Sequence, residues 1–226
     1  MGGATLAAAI MGTSGGAGAG VFDYSEGAGT VTIPAGFVPP LPAPQQFTLT
    51  LEVWGGGGGG GFGTITYSGF PDFEPQDAPG GGGGGGAYSK TVLTLVPGDI
   101  GKTITYSVGA AGAGGVLGNP VGYAGGQSSA SAGTYLLDEM VCTGGGGGYG
   151  GLGVNAGRQG SGGVATGGNT TNTAGNGGAV YDQAGATGIA GVNSLTAGAG
   201  GDGGNPEIDG SDGQPGFNGR VRFVFS

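Results

Sequence analysis

Glycine is spaced in this sequence in two ways, and both restrict what the backbone can do. In one it recurs at every third residue: at Gly109, Gly112, Gly115 and Gly118, at Gly198, Gly201 and Gly204, and, past a break at Glu207, at Gly210, Gly213, Gly216 and Gly219. In the other it is continuous, over 55–61, 80–86 and 144–148. A three-residue period is that of a polyproline-II-type helix, which makes no internal hydrogen bonds and turns its backbone polar groups outward. Such helices need partners. In collagen the partners are other chains and proline fills much of the remaining sequence, whereas this chain has only 12 prolines and strand signals beside its short triplet series. Extended glycine helices packed side by side within one chain fit better. The continuous runs carry no side chain on any face, which permits packing in three directions, and they are expected to join the periodic helices to strands.

Glycine makes such a fold costly. Each one loses more backbone freedom than alanine, by about 0.5–1 kcal/mol in a helix or strand, and 66 of the 226 residues are glycine. What offsets that cost is conformation with positive φ or close backbone approach. The alternative, flexible linkers, uses glycine equally well. Packing is favoured because the seven-glycine runs abut strand segments, and because a chain only 8% charged with apolar runs does not match the composition of disordered sequence.

Strands are expected at 30–33, 47–54, 88–96, 102–108, 134–137 and 220–225 from β-branched and aromatic alternation. In 47–54 one face carries Phe47, Leu49, Leu51 and Val53 and the other Thr48, Thr50, Glu52 and Trp54, so one side is buried. Val221, Phe223 and Phe225 similarly share one face of the last strand. Pro97 and Gly98 supply turn chemistry between two strands, which reads as a meander. Residues 34–44, with Pro39, Pro40, Pro42 and Pro44, read as an extended linker. The expected fold is all-β: a small antiparallel β-sandwich or meander combined with packed polyglycine-II segments and almost no helix. Three regions follow: an N-terminal assembly or anchor segment (1–26), a β-rich domain with an aromatic insertion at 62–79 (27–143), and a glycine-rich region closed by the strand 220–225 (144–226).

Composition also narrows the chemistry. With a formal net charge of −9 and five cations, Lys90, Lys102, Arg158, Arg220 and Arg222, a surface that tracks phosphates is excluded as an expectation, and no nucleic-acid partner is assigned. Residues 1–20 lack a positive n-region and are too short in apolar sequence to span a bilayer, which fits a product made in the cytoplasm without a signal peptide that reaches the outside by lysis or by assembly. No histidine is present, so the usual base of triads and most catalytic zinc sites is missing. Asp138 and Glu139 would face opposite sides of a strand, and Glu52, Asp72, Glu74 and Asp77 have no spacing that brings a carboxylate pair together. Gly-x-Gly-x-x-Gly matches are unavoidable at this composition and carry no nucleotide site. Cys142, the single cysteine, reads as a small buried apolar residue. The acidic tail offers Asp202, Asp209 and Asp212 as weak calcium candidates, although their spacing fits neither an EF-hand nor a nonapeptide repeat, and solvated acidic turns are the simpler reading. No enzyme activity, cofactor or metal is expected.

The insertion 62–79 places Phe62, Tyr67, Phe70 and Phe73 among prolines and acids. Aromatic loops on a rigid scaffold suit recognition, because aromatics give contact area at low rotamer cost. A hydrophobic cap over the glycine segments is the equal alternative. Tyr123, Tyr149 and Tyr181 are further candidates of the same kind.

The sequence resembles the glycine-rich domains of bacteriophage tail-fibre and virion-associated proteins. The resemblance rests on Gly29-Thr30-Val31-Thr32-Ile33-Pro34-Ala35-Gly36, on Glu52-Val53-Trp54 running into polyglycine, and on Gly86-Ala87-Tyr88. It continues through Pro97-Gly98-Asp99, Val108-Gly109-Ala110-Ala111-Gly112, Gly125-Gly126-Gln127-Ser128-Ser129 and Pro215-Gly216-Phe217-Asn218-Gly219-Arg220-Val221. It implies a virion protein at a tail tip or fibre end that attaches to a host surface glycan or outer-membrane protein, touches other virion proteins, forms a homo-oligomer with a trimer favoured, and does not insert into membrane. A purely architectural capsid, collar or tail decoration is the alternative, and an extracellular or ice-binding glycine-rich protein the third reading. Coiled-coil heptads are absent, so the resemblance does not extend to a long shaft.

Overall fold

The computed structural model describes residues 20–35, 47–68, 74–152, 155–178, 197–200, 203 and 210–226. Twelve strands are present among them: β1 (Gly20–Tyr24), β2 (Ala28–Thr32), β3 (Phe47–Trp54), β4 (Thr64–Ser68), β5 (Glu74–Ala78), β6 (Tyr88–Leu95), β7 (Thr103–Ser107), β8 (Ser128–Ala132), β9 (Met140–Cys142), β10 (Ala165–Thr166), β11 (Thr171–Thr173) and β12 (Arg220–Phe225). One sheet runs β1-β12-β3-β6-β11, a second runs β10-β9-β8-β7-β2, and β4 and β5 form a separate hairpin. Every pairing is antiparallel. The fold is all-β, with no α-helix among the described residues.

The two five-stranded sheets enclose the core, because the alternating apolar side chains of each turn inward. Leu49, Leu51, Val53, Val221, Phe223 and Phe225 from the first sheet meet Val31, Ile104, Ala130, Met140 and Cys142 from the second, all buried. Tyr106 stacks on Tyr24 at 4.2 Å between ring centroids and meets Phe223 edge-on, the geometries aromatic pairs favour. Strands β3 and β12 have the bounds expected from the sequence, but the second face of β3 is not open throughout: Glu52 and Trp54 are buried.

Several expectations are corrected. Residues 134–137 are not a strand: Thr134 and Thr103 exchange bonds between their backbone N–H groups and hydroxyl oxygens, which ends the β7-β8 ladder, and Leu136 is left 90% exposed. Their place is taken by β8, whose Ser-Ser-Ala-Ser-Ala sequence has no β-branched or aromatic residue. Its Ser129 and Ser131 hydroxyls instead pair with Ser107 and Thr105 across the ladder. The Pro97–Asp99 turn does not close a meander, since β6 and β7 belong to different sheets. It is a single 3-10 turn that crosses the sandwich, held by the Asp99 carboxylate, which accepts from Val96 N–H at 3.0 Å and Lys102 Nζ at 2.7 Å. Burial raises the Asp99 pKa, but these hydrogen bonds outweigh it and hold the carboxyl below its usual value. Gly20–Tyr24, within the expected N-terminal segment, is a strand paired with β12. The linker at 36–44 lies outside the described residues.

Beyond the sandwich the strands continue into extended, hydrogen-bonded glycine segments. Gly55, Gly58 and Gly61 donate to the carbonyls of Ala87, Gly84 and Gly81; Gly56, Gly59 and Phe62 donate to Gly126, Tyr123 and Pro120; Gly57, Gly60 and Gly63 donate to Phe217, Gln214 and Ser211. Successive N–H groups thus point to three different neighbours in rotation, the pattern a helix of three residues per turn makes with others of its kind. The same spacing links Gly81, Gly84 and Ala87 to Tyr149, Gly146 and Thr143.

These bonds stack the described segments in three layers. The middle layer holds 109–115, 55–61, 80–87 and 175–178; one outer layer holds 120–126, 143–151 and 157–164, and the other 197–200 and 211–219. The continuous runs 55–61 and 81–86 are the interior members and are buried along their length, which corrects the expectation that they serve as joints. The periodic segments lie outside them and need glycine only on the inward face. A Cβ on Gly109 or Gly112 would lie 2.1 Å from the carbonyl oxygen of Gly126 or Tyr123, whereas Ala110 and Ala111 between them are accommodated. Gly118 keeps the spacing for a different reason: it has φ +91 and no neighbour within 4 Å, and it serves the tight turn bridged by Val116 and Asn119.

A Cβ on Gly58 would lie 2.1 Å from the Gly146 carbonyl oxygen, in backbone that cannot yield without breaking the array. Gly98 has open space around it. Gly58→Ala should therefore destabilise the protein by about 3 kcal/mol or more, while Gly98→Ala stays within about 0.5 kcal/mol of wild type. Thermal or chemical denaturation of the pair measures the difference.

Candidate functional site

Among the described residues, the segments that continue from β3, β7 and β9 leave the sandwich at one end and those that lead into β6, β8, β10 and β12 return to it there, so the reversals between them lie at the opposite end. There the chain turns through the β4–β5 hairpin, through the bridge between Val116 and Asn119, and through that between Leu152 and Asn155. Thr64 Oγ1 donates to the Gly151 carbonyl at 3.0 Å and ties the hairpin to the neighbouring reversal. Val116 and Asn119 exchange two backbone bonds, as do Leu152 and Asn155, which ties the described residues flanking these reversals to one another.

Apolar side chains are displayed at this end. Leu117 is 82% exposed, Leu152 69% and Tyr149 52%, with Val116, Val121 and Tyr123 also partly open. The Asn119 side-chain amide donates to the Tyr123 hydroxyl at 2.7 Å. Pro120, Val121, Tyr149, Leu152, Asn155 and Arg158 line a groove of about 300 Å³ that is mainly apolar. Three neighbouring segments build it, and the Tyr149 N–H donates to the Arg158 carbonyl at 2.8 Å across its floor.

The predicted aromatic set is divided by the structure. Phe62 is 5% exposed: its N–H donates to Pro120, its carbonyl accepts from Gly151, and its ring closes the end of the interior run beneath Gly210. It is a cap and offers no contact surface, which corrects its assignment as a binding residue. Tyr67 lies on β4 opposite Pro75. Phe70, Phe73 and Tyr181 lie outside the described residues. Tyr149 is at the groove, as an exposed side chain. Leu117, Leu152, Val121 and Arg158 were not singled out from the sequence; the available signal was the rare apolar or charged residue between glycines where a segment reverses.

The remaining candidates are placed as follows. Asp202 and Asp209 lie outside the described residues, Asp212 is exposed, and among the described residues no group of three His, Cys, Asp or Glu side chains could hold a metal ion. Glu52 is buried where the sandwich meets the glycine segments, accepting from the Tyr88 hydroxyl at 2.7 Å and facing Arg222 at 3.4 Å. Trp54 is also buried, in contact with Tyr88 at 5.0 Å between centroids and clustered with Ala197, so both faces of the end of β3 are covered. Arg220 is ion-paired with Asp23 and lies over the Trp54 ring. These charges join strands to one another. No helix among the described residues is long and apolar enough to cross a membrane.

No protein-family model matches the sequence, and no curated protein matches it significantly.

Cys142 is fully buried, its thiol donates to the Val53 carbonyl at 3.2 Å, and burial pushes its pKa up to about 12. Because the thiolate is the reactive form, the native protein should resist a thiol-specific reagent at pH 8 and react with one equivalent once unfolded, as read by mass spectrometry.

Proposed function

We propose that the chain is a non-enzymatic structural protein of a bacteriophage particle, carried at a tail tip or fibre end, with its loop end turned toward the host surface. The observation that supports this best is the polarity of the molecule. Gly20 and Ser226 lie at the far end of the sandwich, where Gly20 pairs with Phe225 and Thr48 with Ser226. The exposed Leu117, Leu152 and Tyr149 lie at the other end. Between them the hydrogen-bonded glycine segments form a spacer. A chain arranged in this way can be held at one end and bind with the other. Exposed apolar side chains clustered on rigid loops are what an interaction surface requires.

A second reading, a purely architectural subunit, draws on the outer face of the second sheet. Thr30, Thr32, Thr103, Thr105, Ser107, Ser129 and Ser131 stand there without a charged residue among them, and several of their hydroxyls are paired with each other. A flat neutral face suits contact with another subunit of a symmetric assembly, an advantage in a chain of net charge −9, whose copies otherwise repel.

The two readings separate in particles that carry the protein. Leu117→Asp combined with Leu152→Asp should lower the adsorption rate at least about tenfold, the loss expected from disabling an interface centre, with the protein retained in the particle. Unchanged adsorption with the protein retained sinks the attachment reading, and loss of the protein from the particle supports the architectural one.

A further inference from the structure

The groove at the loop end combines two features that lead to a ligand class. Its walls, from Pro120, Val121, Tyr149 and Leu152, are apolar and come from adjacent segments fixed by backbone bonds. At its rim stands Arg158, exposed and without an ion pair or side-chain hydrogen bond among the described residues. Of the other four cations, Lys102, Arg220 and Arg222 are each paired with a carboxylate of this chain. An exposed arginine with no carboxylate partner among the described residues, in a chain of net charge −9 and beside an apolar wall, is placed to receive a carboxylate from outside.

We propose that this groove binds a protein segment presenting a large apolar side chain next to a carboxylate. This builds on the attachment reading and names the chemistry of its contact. The volume, about 300 Å³, is at the small end of binding pockets and suits one side chain. A sugar is a poorer occupant. Its many hydroxyls would need several fixed polar partners, and the lining side chains offer only the Tyr149 hydroxyl, Asn155 and Arg158 among mainly apolar surface. The chain's overall negative field opposes an acidic partner at long range, so selection for the carboxylate acts at contact distance, through Arg158, after the apolar side chain has seated.

The test uses the full chain and small probes. N-acetyl-phenylalanyl-aspartyl amide, its asparaginyl counterpart and glucuronate are each titrated while the methyl signals of Val121 and Leu152 are followed by NMR. The aspartyl peptide should shift those signals and bind about threefold to tenfold more tightly than the asparaginyl one, the advantage of a charge-assisted bond at a partly exposed site. Arg158→Gln should abolish that difference while the peptides still shift the Val121 and Leu152 signals. Equal binding of the two peptides, shifts confined to other residues, or tighter binding of glucuronate overturns the assignment. If the peptides fail while the Leu117 and Leu152 substitutions still lower adsorption, the groove is wrong and the attachment reading stands. If the peptides bind as expected while particles carrying the Leu117 and Leu152 substitutions adsorb normally, the groove stands and that reading falls.

Discussion

The structure depends on backbone N–H groups that find carbonyl partners on three sides of the same segment. In a sheet, a strand bonds to neighbours in one plane and uses its side chains for the other two directions. Residues 55–61 have no side chains to use, and their hydrogen bonds rotate among the segments 81–87, 120–126 and 211–217. Burying this much backbone is tolerable because every N–H from Gly55 to Gly61 meets a carbonyl. Glycine is required there by the Gly57 and Gly59 environments, where an added Cβ would lie 1.7 Å from Ala199 O and 2.0 Å from Ala113 O. The hydrophobic effect has little part in that region and is concentrated in the sandwich.

The sandwich in turn sets the phase of the glycine segments. Strands β3, β7 and β9 lead directly into segments beginning at Gly55, near Gly109 and at Thr143, and segments ending at Ala87, Gly126 and Gly219 lead back into β6, β8 and β12. A slip in strand register would rotate the following segment and misalign its bonds. The Asp23–Arg220 and Glu52–Arg222 pairs lie near this junction and fix β1, β12 and β3 relative to one another. Registry is a better-attested role for such pairs than added stability.

Much of this was legible in the residues, and the parts that were not have physical causes. Strands β3 and β12 declared themselves because one face of each is apolar and the other is not. Strand β8 did not, since its pairing rests on serine hydroxyls that meet partners on β7. The alternation in β3 predicted an open face for Glu52 and Trp54, but Tyr88 and Ala197, distant in sequence, cover that end. Three-residue spacing marked Gly109, Gly112 and Gly115 correctly as packing positions and could not separate Gly118, whose φ of +91 alone reveals its role in a turn. At the candidate site the aromatic content of 62–79 drew attention to Phe62, which the fold uses as a plug. The groove's residues come from reversals that only hydrogen bonding between segments brings together.

The rotation of hydrogen bonds among neighbours also fixes how this molecule can change length over evolutionary time. Deleting one residue from 55–61 would turn the rest of that segment by about 120° and direct every remaining N–H at the wrong neighbour, whereas deleting three preserves the phase and shortens it by about 9 Å. The segments therefore have a reading frame in space, and a change in one must be matched in all that lie beside it. The reversals at the loop end are outside that frame. The fold leaves Leu117 and Leu152 open to substitution, subject only to what they bind, while the segments beneath them are held to steps of three.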